Sequence, residues 1–490
     1  MQTLLSGSLT TKYRLLGLAS GLILIVFSLW VVRWPTATYG SLLGPPKPPP
    51  IDPYYVSAAE TASSIWNNPL NISEFGGMGK RLQTLKDWIA YTETSQLTAK
   101  QKEDWSNLIE GVADALVPFI RSPNNDTDGQ RNLEMLRQRF IPGSKGLVIT
   151  AGKERFRFAC HLVTNLRHVL GSQLPIQIAY SGDEDLPSGF RDFITSLAPN
   201  VSTFDVTAVF DDGPLDLPHG GWAVKAFAIL GSTFEQVMLL DADDVFVQLP
   251  EVIFNEHPQY RETGTMLFHD RLLWQGGFPE RHAWWEEQLA DVDISDTLRL
   301  SKVYMEGYAE ECDSGVVAAD KTRLDVFIGL LHIAWQNTYE VRETYTYRQG
   351  HGDKESWWFG FELTGTPYSM EQHYASIVGH VQLAEDGTPE DRVCSFTIAH
   401  VDHKTKLLWY NGSLLKNKEI DSIDFDVPTE WMIDGTWEKG ALKQDLSCMS
   451  GAPVQSIDPD IVELLQQTVE YAKKVDDNLR ERLPEAVPYR

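Results

Sequence analysis

Residues 236–244 of this sequence read QVMLLDADD, a short apolar run that leads directly into three aspartates. Consecutive apolar side chains followed by acids are typical of a buried β-strand that ends at a polar edge. The stretch before it, residues 222–230, has the pattern of a helix. In an open α/β sheet, ligands bind in the crevice at the carboxyl ends of the strands. The pattern therefore predicts a strand of such a sheet that presents carboxylates to a ligand.

Strands and a helix upstream of this segment predict the rest of a parallel sheet. The run LVITA at residues 147–151 predicts a buried strand, and alternating apolar residues at 176–180 predict a second one. Between them, apolar residues recur at helical spacing from Phe158 to Leu170. Because strand, helix and strand in this order make the βαβ unit of a parallel sheet, we predict an α/β fold.

The spacing of the aspartates favours a metal site. Asp241 and Asp243, two residues apart, can share one hard divalent cation through oxygen ligands and leave positions open for phosphate oxygens. Three adjacent carboxylates repel one another unless a cation is present. The alternative is an acidic turn at a strand end that binds nothing. An EF-hand is excluded, because Phe246 and Val252 stand where that loop needs glycine and glutamate.

The N-terminal segment predicts a membrane anchor. Residues 15–32 contain no charged side chain, and Arg33, Trp34 and Pro35 follow them. Eighteen uncharged residues just span the hydrocarbon of a bilayer, whereas a cleaved signal peptide has a shorter apolar region. The positive charges lie upstream, so we expect a cytosolic tail and a lumenal body.

Other features agree with a lumenal compartment. Residues 45–50 (PPKPPP) predict a stiff spacer. Four sequons follow, at Asn71, Asn125, Asn200 and Asn411. The four cysteines, Cys160, Cys312, Cys394 and Cys448, could form up to two disulfides, whose pairing the sequence leaves open. The formal net charge of −26 argues against nucleic acid as a partner, because an acidic surface repels phosphate backbones.

Helical patterns flank the predicted sheet on both sides. Thr98 and Gln101 predict a capping box at the start of one helix, and Asp458 with Pro459 predicts the start of the last helix. We therefore divide the chain into six segments: a cytosolic tail (1–14), a transmembrane anchor (15–32), a Pro-rich stem (33–55), a helical stem or accessory region (56–142), a catalytic domain (143–430) and a C-terminal helical extension (431–490).

Several enzyme classes lack their characteristic motifs. The sequence contains no G-x-S-x-G, H-E-x-x-H or G-x-G-x-x-G, and the segment around Gly152-Lys153 lacks the spacing and the Ser/Thr of a P-loop. Hydrolases of the G-x-S-x-G type, zinc proteases and dinucleotide oxidoreductases are therefore not indicated.

The segment GWAVKAFAILGSTFEQVMLLDADDVFVQLPEVIF (221–254) resembles the core of fungal Golgi α-1,3-mannosyltransferases, type II membrane enzymes similar to other retaining GT-A glycosyltransferases. Further similar blocks follow in order: CDSGVV (312–317), DKESWW (353–358) and residues 400–409. The resemblance covers roughly residues 143–415. It implies a GT-A-like Rossmann-type mixed sheet flanked by helices, preceded here by the transmembrane helix and the helical stem.

The resemblance also implies roles for residues around the aspartates. It makes Asp241 and Asp243 the DxD pair that contacts a divalent metal, usually manganese, and the diphosphate of the donor, while Asp244 orients the loop. It places Lys225 near the donor, the alternative being a solvent-facing helix lysine. It aligns Asp313 with a position that is often Asn and contacts hydroxyls of the donor sugar.

Two further acids stand where retaining relatives place polar groups beneath the reacting sugar. Asp353 or Glu355 could stabilise an oxocarbenium-like centre by charge, and with Asp313 they are our catalytic candidates. Both could instead be ordinary surface charges. The neighbouring Trp357 and Trp358 are expected in the core rather than against a sugar.

The segment HVDHKTKLLW (400–409) resembles the histidine and lysine element of glycogenin-like enzymes. There the histidine completes the metal shell and the lysine contacts the diphosphate, roles that fall to His400 and Lys406. Imidazole is a suitable ligand for manganese beside carboxylates. His403 is the alternative ligand.

The implied function is a retaining transfer of mannose from GDP-mannose to a glycan or glycoprotein, with Mn²⁺ as cofactor. The expected compartment is the Golgi membrane, with a single-pass type II topology, and the expected protein partners are other glycosyltransferases of a Golgi complex. Two alternatives stay open: a UDP-sugar donor on the same fold, and a non-catalytic lumenal binding subunit.

Overall fold

The computed structural model describes residues 52–123, 131–384, 386–418, 421–440, 442 and 445–487, with only the backbone of residues 421 and 422. Residues from Pro53 onwards form one compact unit. The predicted anchor at 15–32 and the loop around Asn125 lie outside the described residues. No described helix combines the length and hydrophobicity needed to cross a bilayer.

A six-stranded mixed sheet forms the centre of the protein. Its strands are β1 (Ile141–Thr150), β2 (Ile176–Tyr180), β3 (Val201–Asp205), β4 (Phe234–Asp241), β6 (Thr265–His269) and β7 (Cys312–Asp320). Their order is β3-β2-β1-β4-β7-β6. The first four strands in this order are parallel, and β7 runs antiparallel to both neighbours.

Helices cover both faces of this sheet. Successive side chains of a strand point to opposite faces, and in this sheet each face packs into its own hydrophobic core. On β4, Val237 and Leu239 face one core, while Met238 and Leu240 face the other. The first core includes side chains of α7 (Val224–Gly231), α13 (Leu324–Gln336) and α15 (Lys354–Leu363), and the second includes side chains of α5 (Phe156–Thr164), α6 (Ser188–Ser196) and α16 (Pro459–Arg482). The predicted α/β class and the mixed sheet flanked by helices are confirmed.

The N-terminal helices are part of this body. They are α1 (Pro53–Asn67), α2 (Phe75–Thr94), α3 (Ala99–Leu116) and α4 (Asn132–Gln138). The predicted capping box of Thr98 and Gln101 starts α3. Helix α2 packs on α13 and α15 so closely that a Cβ at Gly79 would lie 2.2 Å from the carbonyl oxygen of Leu363. The segment predicted as a helical stem therefore shares the core of the predicted catalytic domain.

Short helices and turns connect the strands of the sheet. The short α-helices are α8 (Glu251–Asn255), α9 (Pro258–Thr263), α10 (Pro279–Leu289), α11 (Asp296–Arg299), α12 (Lys302–Glu306) and α14 (Tyr339–Thr344). A π-helical turn (Asn165–Val169) continues α5, and a 3₁₀ turn (Gly221–Ala223) precedes α7. The side chain of Asn165 in the π turn hydrogen-bonds to the backbone N–H and C=O of Phe246, just after the three aspartates.

A three-stranded sheet adjoins the end of β4. It consists of β10 (Ile398–Val401), β11 (Leu407–Asn411) and β5 (Asp244–Phe246), in that order and antiparallel. A two-stranded ribbon, β12 (Leu415–Asn417) and β13 (Asp421–Phe425), follows β11. This pairing brings the segment around His400 beside the aspartates of the DADD sequence.

A second six-stranded sheet, antiparallel throughout, occupies the region between residues 377 and 456. Its strands are β8 (Ile377–Leu383), β9 (Pro389–Ser395), β14 (Glu430–Met432), β15 (Thr436–Lys439), β16 (Ser447–Ser450) and β17 (Gln455–Ser456), ordered β15-β16-β9-β8-β14-β17. A disulfide joins Cys394 to Cys448, a register pair of β9 and β16, while Cys160 and Cys312 are free and buried.

This sheet differs from the sequence-based prediction of a helical extension over 431–490. The helix exists over Pro459–Arg482, with Asp458 accepting a hydrogen bond at its N-cap, but residues 430–456 contribute strands. These strands are two to four residues long, too short for their alternation to be distinguished in the sequence.

Candidate active site

The candidate site lies at the carboxyl ends of β1 and β4. Thr150 and Asp241 end these two strands as register partners, so the chain leaves the sheet at a shared edge. A cleft of about 1030 Å³ opens there. Its described lining includes Thr150, Lys225, Asp241, Asp243, Asp313, Asp353, Lys354, Asn411 and Lys418.

Lys225 connects two carboxylates at the floor of the cleft. Its Nζ lies 2.7 Å from Oδ1 of Asp241 and 3.5 Å from Oδ1 of Asp353, and it donates to the carbonyl and hydroxyl oxygens of Ser314 at 3.2 and 3.1 Å. Burial lowers the pKa of Lys225, but the charges of Asp241 and Asp353 outweigh burial and raise that pKa above its usual value. Lys225 is therefore a fixed cation rather than the solvent-facing helix lysine of the alternative interpretation.

The three adjacent aspartates have three different environments. Burial, followed by repulsion from Asp243 and Asp353 and opposed by Lys225, raises the pKa of Asp241 to about 7. Burial would also raise the pKa of Asp243, but its ion pair with Lys418 lowers it below the usual value. Asp241 and Asp243 both line the cleft.

Asp244 lies behind the other two aspartates. One of its carboxylate oxygens accepts a hydrogen bond from the backbone N–H of Asp241 at 3.0 Å, which supports the loop-orienting role expected for it. The other oxygen is buried without a hydrogen-bond partner among the described residues. Burial and the charges of Asp241 and Asp243 raise the pKa of Asp244 well above its usual value.

Asp313 and His400 form a buried pair. Nε2 of His400 lies 3.0 Å from Oδ2 of Asp313, and both side chains are about 1 % exposed. The histidine ring stacks on Trp409 with centroids 4.3 Å apart. Burial would raise the pKa of Asp313, but the hydrogen bond from His400 and the charge of Lys354 lower it. Asp313 lines the cleft and His400 lies behind it, so the structure places His400 against a carboxylate of the site.

Gly315, two residues after Asp313, permits this arrangement. A Cβ at that position would lie 2.8 Å from the ring of Trp409 and 3.0 Å from the carboxylate of Asp244. The backbone N–H of Gly315 also donates to Oδ1 of Asp313 at 3.1 Å. The glycine of the DSGVV block is thus needed for the close approach of β7 to β11.

The two acids of the DKESWW block have different surroundings. Asp353 lines the cleft, where its oxygens accept hydrogen bonds from the hydroxyl of Ser314 at 3.2 Å and the indole N–H of Trp357 at 2.8 Å. Glu355 is buried beside Trp358, outside the described cleft lining, and burial raises its pKa to about 8. Trp357 and Trp358 belong to the core, as predicted.

Lys406, the expected diphosphate-binding lysine, and His403, the alternative metal ligand, lie outside the described cleft lining. Lys406 is exposed between β10 and β11, with its backbone N–H donating to Asp402. The half-buried His403 contacts His257 at 5.4 Å between ring centroids. Besides Lys225, which contacts Asp241, a second lysine reaches the DxD pair: Lys418 contacts Asp243. The sequence did not indicate Lys418, because it lies 175 residues from Asp243 and belongs to none of the blocks that resemble the family.

The described sequons differ in accessibility. Asn71 and Asn200 are exposed, the latter with a left-handed φ of 57°. Asn411 is half-buried in the cleft, where its amide donates toward Asp313 at 3.5 Å. A glycan on Asn411 would therefore occupy the cleft.

The oxygen-rich floor of the cleft fits a hard divalent cation in its chemistry. Asp241 and Asp243 supply two carboxylates, and the unpartnered oxygen of Asp244 is a further buried acceptor. Lys225 forms an ion pair with Asp241, and Lys418 forms one with Asp243. Within the described residues, no group of three or more His, Cys, Asp or Glu side chains is arranged to hold a metal.

Comparisons with known proteins point to one family. Residues 144–402 match the family described as "Mannosyltransferase putative". The chain is 28 % identical to the Saccharomyces cerevisiae alpha-1,3-mannosyltransferase MNT3, over 53 % of this chain and 45 % of that protein. It is 25 % identical to the alpha-1,3-mannosyltransferase MNN1 of the same yeast, over 60 % of this chain and 43 % of that protein. The chain thus spans less than half the length of these curated relatives.

Parts of this chain also superpose on solved structures of two glycosyltransferases. The mannosyltransferase Ktr4p from S. cerevisiae matches 52 % of this chain and 81 % of its own, with a TM-score of 0.33 and 12 % identity. The galactosyltransferase LgtC matches 46 % of this chain and 73 % of its own, with a TM-score of 0.29 and 13 % identity. These superpositions add nothing to the topology described above. Since the family match covers more than half of the sequence, including the strand, the aspartates and Lys225, the chain belongs to this mannosyltransferase family.

Proposed function

We propose that the chain is a retaining glycosyltransferase that moves mannose from GDP-mannose to a glycan or glycoprotein, in the manner of an α-1,3-mannosyltransferase. The observation that carries the proposal is Lys225, fixed between Asp241 and Asp353 on the floor of a cleft at the carboxyl end of β4. The family match and the names of the yeast relatives support the choice of mannose.

The lysines of the cleft suit a diphosphate. Lys225 and Lys418 each neutralise one aspartate, and a lysine is a suitable point charge for phosphate. Asp241 and Asp243 would hold a divalent cation, for which we propose Mn²⁺; such an ion supplies positive charge that stabilises a departing diphosphate. Lys418, rather than the exposed Lys406, is our candidate for the second phosphate-binding lysine.

The remaining carboxylates suit the sugar. Asp353 is held by Ser314, Trp357 and Lys225, so its charge has a fixed position from which to stabilise a positive anomeric carbon. Asp313, fixed by His400, can accept a hydrogen bond from a sugar hydroxyl. The bond from the anomeric carbon to the diphosphate breaks, the bond to the acceptor oxygen forms on the same face, and the acceptor proton leaves with the diphosphate.

We also propose that the protein is a single-pass type II protein of the Golgi membrane with its body in the lumen. The uncharged segment at residues 15–32 supports this location. The disulfide between Cys394 and Cys448 also supports it, because disulfides persist in oxidising compartments. Deglycosylation tests lumenal exposure: we expect the parent protein to lose mass, and the loss to be smaller after Asn71→Gln combined with Asn200→Gln. Unchanged mass of the parent protein would contradict the proposal.

The decisive experiment measures donor turnover. The protein is incubated with GDP-mannose and a panel of UDP-sugars at saturating Mn²⁺, with and without an oligosaccharide acceptor. We expect GDP-mannose to be consumed and Asp243→Ala to abolish transfer without changing the melting temperature. Asp293→Ala, an acid that is 96 % exposed, is the control.

The outcomes separate the alternatives. Unchanged transfer by Asp243→Ala at saturating Mn²⁺ would refute the site. Turnover of a UDP-sugar instead of GDP-mannose would refute GDP-mannose as the donor and leave the proposed glycosyl transfer standing. No turnover of any donor, with no Mn²⁺-dependent protection by GDP or UDP against thermal unfolding, would indicate a non-catalytic binding protein.

A further inference from the structure

A second cavity opens beside the cleft. It measures about 470 Å³ and shares three lining residues with the cleft, Trp274, Glu310 and His351. Pockets of roughly 300–1,000 Å³ suit ligands of drug size, which is the size of a di- or trisaccharide. The shared residues place the two spaces side by side, and Asp353 belongs to the lining of the neighbouring cleft.

Trp274 stands at the junction of the two spaces in an unusual conformation. Its φ is 51°, which is rare for a bulky residue, and its side chain remains 48 % exposed. The surrounding loop holds this conformation: the N–H of Gly277 donates to the carbonyl of Trp274 at 2.9 Å, and the N–H of Gly276 donates to the carbonyl of Gly307 at 2.7 Å. A large apolar ring kept exposed by a strained backbone indicates a selected binding surface rather than core packing.

A second exposed ring extends this surface away from the cleft. Phe278 is 40 % exposed, and its ring centroid lies 6.5 Å from that of Trp274. The guanidinium of Arg281 lies 4.3 Å from the Phe278 centroid and donates to the carbonyls of Gln349 and Ala309. Because Arg281 is buried and donates hydrogen bonds to two carbonyls, the ring of Phe278 lies against a fixed guanidinium before a ligand arrives.

Polar groups surround the two rings. The rest of the cavity lining consists of Glu280, Glu310, Arg348, Gln349, Gly350 and His351. Aromatic faces next to carboxylate, amide and guanidinium groups match a sugar ring, which has apolar C–H faces and a rim of hydroxyls. The two acids of the lining, Glu280 and Glu310, are matched by two guanidinium groups, Arg281 and Arg348, so the formal charges balance and a neutral oligosaccharide fits best.

We propose that the second cavity is the subsite for the acceptor, an uncharged oligosaccharide whose sugar rings stack on Trp274 and Phe278 and whose reacting end extends into the cleft. This proposal rests on the proposed function, since it names the molecule that receives the sugar. Trp274, which borders both spaces, is the residue that contacts the sugar nearest the site of transfer.

The test compares Trp274→Ala and Phe278→Ala with the parent full-length protein. We expect each substitution to raise the KM for α-linked mannotriose on the order of tenfold, the effect of losing one aromatic contact. The fold-increase in the acceptor KM should be at least about five times the fold-change in the KM for GDP-mannose. The reason is that a contact made equally in the bound substrate and in the transition state affects only the KM of the substrate that makes it. Trp274→Phe keeps a smaller ring and should fall between the parent and Trp274→Ala.

The matched control is Trp66→Ala. Trp66 is 47 % exposed, nearly the same as Trp274, but lies on α1 outside the described lining of both spaces. Its acceptor KM should equal that of the parent. If Trp274→Ala fails to fold, as judged by its melting temperature, Phe278→Ala and Trp274→Phe decide the question.

The results separate this proposal from the proposed function. Transfer by the parent together with an acceptor KM within twofold in both alanine variants would overturn the subsite and leave the function intact. If the parent transfers no sugar, calorimetric titration with α-mannotriose still tests the cavity. Binding that weakens about tenfold in Trp274→Ala supports the subsite, and equal or absent binding overturns it.

Discussion

Two clusters of charge in this protein have opposite compositions and different surroundings: one is a cation between two acids, and the other is an acid between two basic side chains. On the floor of the cleft, Lys225 lies between Asp241 and Asp353. Between α5 and α16, Asp476 lies between Arg157 and His161, with contacts of 2.6 and 2.8 Å. The first cluster lines about 1030 Å³ of open cleft, whereas His161 borders a cavity of only about 10 Å³, room for about one water.

The difference shows that a buried charge does not by itself identify a functional site. Both clusters carry shifted pKa values: that of Asp241 is raised to about 7, chiefly by burial, and that of Asp476 is lowered because hydrogen bonds from His161 and Arg157 outweigh burial. Perturbed pKa values arise in structural ion-pair networks as well as in active sites. Access from a cleft distinguishes the two clusters here.

The largest effect should come from the sealed cluster. Asp476→Ala leaves the buried Arg157 without its carboxylate, and breaking such a pair costs about 3–5 kcal/mol in the free energy of unfolding. Urea denaturation measures the change, and the specific activity of the folded fraction should stay unchanged. Asp477→Ala, at a neighbouring side chain that is 79 % exposed, should change stability by less than about 0.5 kcal/mol. Equal stability of the two variants would mean that the cluster is not structural.

The open cluster should respond in the opposite way. Asp241→Asn is expected to lower turnover about 10²–10³-fold, or about 2.7–4 kcal/mol, the usual effect of removing one preorganised electrostatic group. Its melting temperature should fall much less than that of Asp476→Ala, because Lys225 keeps its contact with Asp353 and burial no longer opposes the ionisation of the replaced carboxylate. Asp205→Asn is the control, since Asp205 ends β3 at the same edge of the sheet but outside the described cleft lining. Full turnover by Asp241→Asn would contradict the functional assignment.

A comparison within one helical turn sharpens the contrast. Asp353→Asn should lower turnover about 10²-fold, whereas Glu355→Gln should retain it, because only Asp353 is in the described cleft lining. Glu355 ionises near pH 4.5 when unfolded and near pH 8 when folded. Because the folded state binds this proton more tightly than the unfolded state, the raised pKa of Glu355 contributes fully to stability below pH 4.5. The contribution is lost as the pH rises to about 8. The difference in melting temperature, Glu355→Gln minus parent, should therefore increase as the pH rises from 4.5 to about 8. A difference that stays constant over this range would contradict the raised pKa of Glu355.

The smallest effect separates two lysines. Lys418→Ala should raise the KM for the donor about tenfold, about 1.4 kcal/mol, because Lys418 contacts Asp243 in the cleft. Lys406→Ala should leave this KM unchanged, since Lys406 is exposed in the turn between β10 and β11. Steady-state kinetics at fixed acceptor concentration measures both values. A rise with Lys406→Ala alone would restore the assignment that the sequence resemblance suggests.

The sequence predicted those parts of the site in which a short segment carries the information. The strand before Asp241, the βαβ unit around α5 and the capping box of Thr98 all follow from local apolar periodicity and N-cap chemistry. The buried tryptophans at 357 and 358 were expected in the core and are there. Lys225, Asp313 and Asp353, from three separate blocks of the sequence, line one cleft.

Other parts of the site could not be predicted because they depend on contacts between distant segments. The pairing of β11 with β5 brings His400 toward Asp313, and the segment that follows delivers Lys418 to Asp243. Nothing in the local sequence near Lys406 or Lys418 states which lysine the chain will bring back to the aspartates.

By itself, the sequence determined several strands and helix starts, that carboxylates follow a buried strand, and which family the chain resembles, because side-chain periodicity and capping act over a few residues. The tertiary structure alone decided which charges face the cleft, which are sealed behind it, and that Trp274 borders two cavities. These properties follow from packing between segments that lie up to some hundreds of residues apart, as in the pair of Arg157 and Asp476, and burial of that kind has no local signature.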